Sequence, residues 1–315
     1  MPSRPNAAER EGYGRERFEA VGIAHDVYRG GDGPAVILLH ELPSISWRTV
    51  KLANHIRDRG FRVVMPALVG GVSDEPTTPH RKAKLGAAFV TSTLRLCISW
   101  QFVALLQRRT SPITGWLLEL AREEARLSGR PKVGVIGMCL TGGFALGMAI
   151  DPVVGVAVSS QPSLPFAMKA FGKIPGQVTD PGVSPADYER LIARRGDPDF
   201  CVRAFRYTTD EIAPLERVER LARDLAPGLI FEPITAKEKA HSVLTDATDK
   251  SPDQDAQKTV EAALERVMGL LGERLEAAAA PGPTAQPELA TYSTEDTRPP
   301  PPSGGLRGEP LGRRG

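Results

Sequence analysis

The stretch VGVIGMCLTGGFALGMAI, residues 133–150, decides the fold of this 315-residue chain. Its first four residues form an apolar run that predicts a buried strand, and residues 144–150 predict a helix. Between them, small residues flank one reactive side chain, the thiol of Cys139. A sharp strand-to-helix turn projects its central side chain above a sheet, and the helix N-terminus behind it favours a thiolate. We therefore predict that Cys139 is a nucleophile rather than a packing residue.

Strands and helices alternate on both sides of this stretch. After a strand pair between residues 17 and 29, apolar runs predict strands at residues 34–39, 61–66, 153–158, 201–207 and 229–234. Apolar residues at helical spacing predict helices at residues 46–58, 115–127, 185–193, 214–225 and 252–276. Such alternation builds right-handed βαβ units. The sequence thus predicts the α/β class, with a doubly wound, mostly parallel sheet and helices on both faces.

Composition divides the chain into three parts. Residues 1–14 are polar, and we expect them to form a flexible leader. The alternating elements fill residues 15–276, which we predict to be one α/β domain. Residues 277–315 are rich in Ala, Pro, Gly, Thr and Arg. Such a segment cannot bury enough apolar surface to offset its ordering entropy, so we predict a disordered tail.

Charge and cysteine content narrow the class of partner. The 40 Lys and Arg residues nearly balance 38 Asp and Glu residues, so neither nucleic acid nor an anionic membrane is expected as a partner. The first residues lack the apolar segment of a secretory signal. Cys97, Cys139 and Cys201 lack metal-ligand spacing and cannot all pair, which favours a reducing compartment. We expect a cytoplasmic monomer or homodimer acting on a small molecule without cofactor or metal, with Cys97 and Cys201 as core residues.

A catalytic thiol needs a base within hydrogen-bond reach and an acid that orients the base. In hydrolases with a strand-to-helix nucleophile turn, the acid and then the histidine follow the nucleophile along the chain. His241 is the one histidine after Cys139, and it follows a predicted strand. Asp210 follows the preceding strand; its neighbour Glu211 competes with it, and either residue could instead begin the next helix. The predicted triad is Cys139, Asp210 and His241.

The predicted strand at residues 34–39 is followed by His40, Glu41 and Leu42, where this kind of fold supplies an oxyanion-hole amide. We predict that the backbone N–H groups of Leu42 and Leu140 hold the oxyanion. His40 either contacts the substrate or is satisfied by nearby backbone. Glu41, if close to the thiol, would repel a thiolate and accept a hydrogen bond from the neutral form.

Together these motifs resemble the dienelactone hydrolase family over about residues 15–275. The resemblance rests on Gly-x-Cys-x-x-Gly-Gly after a strand, a glutamate after the first core strand, an aspartate before a helix that starts with proline, and Ala240-His241-Ser242. It implies an α/β-hydrolase fold and a Cys-His-Asp triad that opens enol lactones, as in carboxymethylenebutenolidase. It also implies that Glu41 is the glutamate that holds the resting thiol and swings away when substrate arrives.

Two departures from the family pattern are visible. Thr141 stands where the family usually has glycine, which predicts a bulkier or differently packed turn. Residues 70–130 match less closely, and an arginine for a substrate carboxylate would be sought there. Arg95, Arg108 and Arg109 are candidates, although charged residues in such a segment more often form a solvated face.

These observations favour a hydrolase of lactones or small activated esters. A thiol nucleophile suits esters with good leaving groups better than amides, which argues against a protease. Two other functions stay open: a non-catalytic hydrolase-fold protein that binds a small ligand or partner, and a redox sensor acting through Cys139. Ester turnover separates the first function from the other two.

Overall fold

The computed structural model describes residues 5–73, 111–163, 178–249 and 254–276. Its strands are β1 (Gly14–Ala20), β2 (Ile23–Gly30), β3 (Ala35–Leu39), β4 (Ile45–Ser46), β5 (Arg62–Pro66), β6 (Val72–Ser73), β7 (Val133–Met138), β8 (Val154–Ser160), β9 (Val202–Tyr207) and β10 (Leu229–Ile234). Its helices are α1 (Ala7–Arg10), α2 (Trp47–Asp58), α3 (Pro112–Ser128), α4 (Thr141–Met148), α5 (Pro185–Arg194), α6 (Leu215–Asp224), α7 (Val243–Thr248) and α8 (Gln254–Glu276).

Eight of these strands form one mixed sheet in the order β1-β2-β5-β3-β7-β8-β9-β10. Strand β2 is antiparallel to both of its neighbours, and the pairs from β5 to β10 are parallel. The central strands β3, β7 and β8 are buried along their whole length, as expected for parallel strands covered on both faces. The predicted α/β class and doubly wound, mostly parallel sheet are confirmed.

Alternate side chains of the strands build a core against one set of helices. Val36 and Leu38 of β3 and Ile136 and Met138 of β7 point into this core with residues of α2, α7 and α8. Because successive strand residues face opposite sides, the intervening residues face a second layer of helices. That layer includes α4, which contacts β7 and β8, and α3, which packs beside α4.

Gly137 lets α4 approach the sheet closely at the end of β7. A Cβ atom at this position would lie 2.2 Å from the carbonyl oxygen of Thr141 and 2.8 Å from the Cβ of Ala145. Non-bonded contacts of a Cβ atom are essentially never this short, so glycine is required at position 137. The first turn of α4 can therefore start directly behind Cys139.

A buried carboxylate ties α3 to the sheet. Glu124 is fully buried and accepts hydrogen bonds from Arg29 of β2, at 2.6 Å, and from Arg62 of β5, at 3.0 Å. Two arginines on one carboxylate compensate the cost of burying its charge. The two arginines lie on β2 and β5, which carry none of the predicted catalytic residues.

The structure differs from the sequence prediction at several places. Residues 7–13 fall in the predicted flexible leader, yet α1 is capped by Asn6, and Ala8 and Tyr13 are buried in the core. Tyr13 packs against Gly30 and lies beneath the guanidinium of Arg57, contacts that composition does not reveal. The short helix α7 and the β4–β6 pair were not predicted.

The remaining domain boundaries keep their status as predictions. The predicted tail at residues 277–315 lies outside the described residues, as do Cys97 and residues 1–4. Cys201 is buried, as predicted for a core residue. In the described part of the chain, none of the helices has the length and hydrophobicity of a membrane-spanning segment.

Candidate active site

Cys139 lies between β7 and α4 with a left-handed backbone, at a φ of 58°. Few non-glycine residues adopt this conformation, and it is the backbone geometry that a sharp strand-to-helix turn imposes. Its N–H donates to the carbonyl of Ser160, 3.1 Å away, which joins the turn to the end of β8. The thiol is partly exposed, so a ligand can reach it.

Asp210 and His241 are joined by a hydrogen bond of 2.8 Å between Oδ2 and Nδ1. Asp210 follows β9 and His241 follows β10, so neighbouring strand ends bring them together. The other carboxylate oxygen of Asp210 accepts from the N–H groups of Ile212, at 2.8 Å, and Ala213, at 3.1 Å. The acid is therefore fixed by the backbone and presents one oxygen to the imidazole.

His241 is held in an environment that favours its protonated form. Burial alone would lower the pKa of the imidazole, but the hydrogen bond to Asp210 and the interaction with Cys139 outweigh burial and raise its pKa to about 11. Nε2 is buried and has no hydrogen-bond partner within the described part of the chain. Because Nδ1 is occupied by Asp210, Nε2 is the nitrogen available to take a proton from the thiol.

The two predicted oxyanion-hole amides belong to the segments that follow the neighbouring strands β3 and β7. Leu140 begins the turn into α4, and Leu42 lies just beyond the end of β3, next to β7 in the sheet. Among the described residues, neither N–H group has a hydrogen-bond partner. Unpartnered N–H groups can hold an oxyanion, and Leu140 also lies at the N-terminus of α4.

Thr141, the departure from the family pattern, links the ends of β3 and β7. Its side chain is buried, and its hydroxyl lies 3.1 Å from the carbonyl of Leu39, 3.2 Å from that of His40 and 2.8 Å from that of Met138. It also accepts from the N–H of Met138 at 2.9 Å. The threonine therefore adds polar contacts between the strand that carries the nucleophile and the strand that leads to Leu42.

His40 is bonded to nearby backbone, which is one of the two alternatives that the sequence left open. The side chain is fully buried; Nδ1 lies 2.8 Å from the carbonyl of Glu41, and Nε2 lies 3.5 Å from the N–H of Val69. Burial lowers the pKa of His40 to about 4. The neutral ring donates through Nδ1 and accepts through Nε2, so it fixes the backbone that leads to Leu42.

The carboxylate of Glu41 has two side-chain partners in the site. Its carboxylate accepts from the side-chain amide of Gln161, at 2.6 Å, and from the hydroxyl of Ser242, at 3.0 Å. Burial raises the pKa of this carboxyl group, while the charges of His241 and Arg48 oppose that rise. Glu41 thus bridges the ends of β3 and β8 and the loop that carries His241.

Ser163 occupies the place beside the thiol that was expected for Glu41. Its Oγ lies 3.0 Å from Sγ of Cys139. Sequence reasoning missed this residue, although one signal existed: it lies shortly after β8, a strand that the sequence predicts. Polar residues at the carboxyl ends of parallel strands are the usual source of site residues in such sheets.

Two buried arginines hold the loops around the site. Arg206 donates to the carbonyls of Ala213, Tyr207 and Asp210 and so fixes the loop of the acid. Arg217 donates to the carbonyl of Pro162, at 3.1 Å. The candidates for a substrate carboxylate, Arg95, Arg108 and Arg109, lie outside the described residues.

Neither a known family model nor a curated protein matches this sequence. Solved structures do match its fold. A protein from Klebsiella pneumoniae assigned as a dienelactone hydrolase is 17% identical, with a TM-score of 0.50, covering 82% of this chain and 98% of that one. An esterase from Pyrococcus furiosus is 14% identical, with a TM-score of 0.51, covering 87% and 96%. A puromycin-hydrolysing peptidase from Mycobacterium tuberculosis is 16% identical, with a TM-score of 0.50, covering 84% and 39%. These matches show that the chain has the α/β-hydrolase fold.

Proposed function

We propose that this protein is a cytoplasmic hydrolase of lactones or small activated esters that uses Cys139, His241 and Asp210 as its triad. The observation that carries the proposal is the hydrogen bond of 2.8 Å between Asp210 and His241, formed at the same edge of the sheet as the left-handed turn of Cys139. Chance would rarely place an oriented imidazole with a free Nε2 beside a cysteine on such a turn.

Nε2 of His241 takes the proton of the Cys139 thiol, and acylation proceeds from the resulting thiolate and imidazolium. The thiolate attacks the carbonyl carbon of the substrate, and the carbonyl oxygen becomes an oxyanion held by the Leu42 and Leu140 amides. When the carbonyl re-forms, the C–O bond to the leaving oxygen breaks, and the imidazolium returns the proton to that oxygen. Asp210 keeps the proton of the neutral ring on Nδ1 and stabilises the imidazolium.

Deacylation repeats these steps with water as the nucleophile. His241 takes a proton from water, hydroxide adds to the thioester carbon, and the tetrahedral intermediate expels the Cys139 thiolate. With a lactone, acid and alcohol leave as one hydroxy acid. With an open ester, the alcohol leaves first and the acid afterwards.

The choice of substrate class rests on the chemistry of sulfur and on the resemblance. A thiol displaces a good leaving group, such as an enolate or phenolate, more readily than it displaces the amine of an amide. The motifs shared with the dienelactone hydrolases support lactones. A nucleophilic thiol that is not in a disulfide needs a reducing environment, which supports the cytoplasm.

Hydrolysis of p-nitrophenyl acetate and dihydrocoumarin by the full chain tests this proposal. We expect turnover by the wild type and nearly complete loss in Cys139→Ala and in His241→Ala, since triad members act as a unit. Cys201→Ala is the matched control, because it removes a buried thiol elsewhere and should keep turnover.

Other outcomes would identify the competing functions. Turnover equal to wild type in Cys139→Ala would refute the triad. A wild type that binds esters without hydrolysing them would favour the non-catalytic ligand-binding protein. Peroxide-dependent ligand binding without ester turnover would favour the redox sensor.

A further inference from the structure

The hydroxyl of Ser163 lies within hydrogen-bonding distance of the nucleophile. Oγ of Ser163 lies 3.0 Å from Sγ of Cys139. The Ser163 residue is almost completely buried, with 4% of its surface exposed. Water therefore competes little for this hydroxyl, and its hydrogen bond to sulfur is correspondingly strong.

The backbone fixes the position of Ser163 independently of its side chain. Its N–H donates to the carbonyl of Cys139 at 3.1 Å, while the N–H of Cys139 donates to the carbonyl of Ser160 at 3.1 Å. Residues 160–163 therefore wrap around the peptide group of the nucleophile. Arg217 holds the same loop through the carbonyl of Pro162, 3.1 Å away. Removing the hydroxyl alone leaves these bonds in place.

We propose that Ser163 is a catalytic residue whose hydroxyl donates a hydrogen bond to the Cys139 thiolate and stabilises that thiolate in the resting enzyme. The proton of the thiol then lies on Nε2 of His241, and no other bond forms or breaks. This inference rests on the proposed role of Cys139 as nucleophile. It differs from the expectation that a glutamate keeps the resting thiol protonated.

The groups around the sulfur favour this direction of the hydrogen bond. A sulfur-to-oxygen distance of 3.0 Å is short, as expected when one of the partners is charged. His241 is buried beside the thiol and is backed by the Asp210 carboxylate, so a positive charge is stabilised there. The Glu41 carboxylate is held by Gln161 and Ser242 and adds a second negative group close to the imidazolium.

The pH dependence of thiol alkylation tests the proposal. The full-length wild type, Ser163→Ala and Ser163→Thr would be treated with iodoacetamide from pH 4 to 10. Peptide-resolved mass spectrometry would follow Cys139 separately from the other cysteines, and circular dichroism would verify folding. Ser159→Ala is the matched control, because it removes a buried hydroxyl of β8 that donates to the carbonyl of Gly142 at 2.9 Å instead of to the sulfur.

We expect Ser163→Ala to move the alkylation profile of Cys139 to higher pH by about one pH unit, since hydrogen bonds to charged groups have this strength. Alkylation at pH values below both midpoints should then slow about tenfold. Ser163→Thr should restore most of the profile, and Ser159→Ala should not move it. An unchanged profile, a downward shift, or an equal shift in the control would each overturn the proposal. Alkylation needs no substrate turnover, so a protein that shows the shift but hydrolyses no ester would refute the proposed hydrolase and the catalytic role of Ser163, while its hydrogen bond to the thiolate would stand.

Discussion

Replacing Asp210 with asparagine should separate the orientation of His241 from the stability of the fold. The amide oxygen of asparagine can still accept from the N–H groups of Ile212 and Ala213, which now bind Oδ1 at 2.8 Å and 3.1 Å. The amide NH₂ would then face Nδ1 of His241, where Oδ2 now lies at 2.8 Å. Two donors cannot bond each other, so the imidazole would shift its proton to Nε2.

The size of the effect follows from the bonds that change. A proton on Nε2 prevents that nitrogen from accepting the thiol proton. If the proton returns to Nδ1, the imidazole lacks the hydrogen bond to the Asp210 carboxylate, which is worth about 1.5–3 kcal/mol. The Nδ1–H and amide N–H groups then face each other as buried, unsatisfied donors, at a cost of about 1–3 kcal/mol. A total of about 2.5–6 kcal/mol corresponds to a fall in kcat/KM of roughly 70-fold to 25,000-fold.

The assay is the initial rate of p-nitrophenyl acetate hydrolysis, with thermal unfolding measured on the same samples. We expect Asp210→Asn to lose activity while its melting temperature stays within a few degrees of wild type. Asp210→Ala should lose both, because it also leaves the two loop N–H groups without their acceptor. If Asp210→Asn kept more than about a tenth of wild-type kcat/KM, the inferred role of Asp210 in setting the tautomer would be refuted.

Three further predictions concern stability. Glu124→Gln should lower the free energy of unfolding by about 3–5 kcal/mol in urea titrations, because two arginines lose a buried partner; a loss under 1 kcal/mol would contradict this. Burial lowers the pKa of His40 to about 4 in the folded protein, so below about pH 6.5 the unfolded chain binds a proton that the folded protein does not. The free energy of unfolding should therefore fall by about 3 kcal/mol between neutral pH and pH 4, and by less in His40→Asn. Deleting residues 277–315 should leave the melting temperature within about two degrees and ester turnover unchanged, because composition offers few apolar anchors there; a larger change would place that segment against the domain.

The sequence sufficed for the fold because the sheet is built from local patterns. Fully apolar runs such as residues 133–136 and 154–158 are short, separate and flanked by turns, and each became a central strand. Where local pattern was weak, prediction failed. Helix α7 has only 6 residues and α1 only 4, and Tyr13, which follows α1, packs beneath the distant Arg57.

The candidate site was predictable to the extent that each residue follows a recognisable strand. Cys139, Asp210 and His241 are all of this kind. The partners of His40, Glu41 and Ser163 depend instead on which strands are neighbours in the sheet. Val69, which bonds His40, is 29 residues away in the chain, and Gln161, which bonds Glu41, is 120 residues away. A single sequence carries no direct sign of such pairings.

The left-handed backbone of Cys139 bears on how such a protein can evolve. A side chain in this region costs about 1–2 kcal/mol relative to glycine, so a glycine at position 139 would relax the turn while deleting the thiol. At this position, the residue that gives the higher stability, glycine, lacks the thiol that the proposed function needs. A library of random variants screened only for survival after heating would enrich chains that have lost the cysteine. Stability alone therefore gives no reason for a cysteine at this turn.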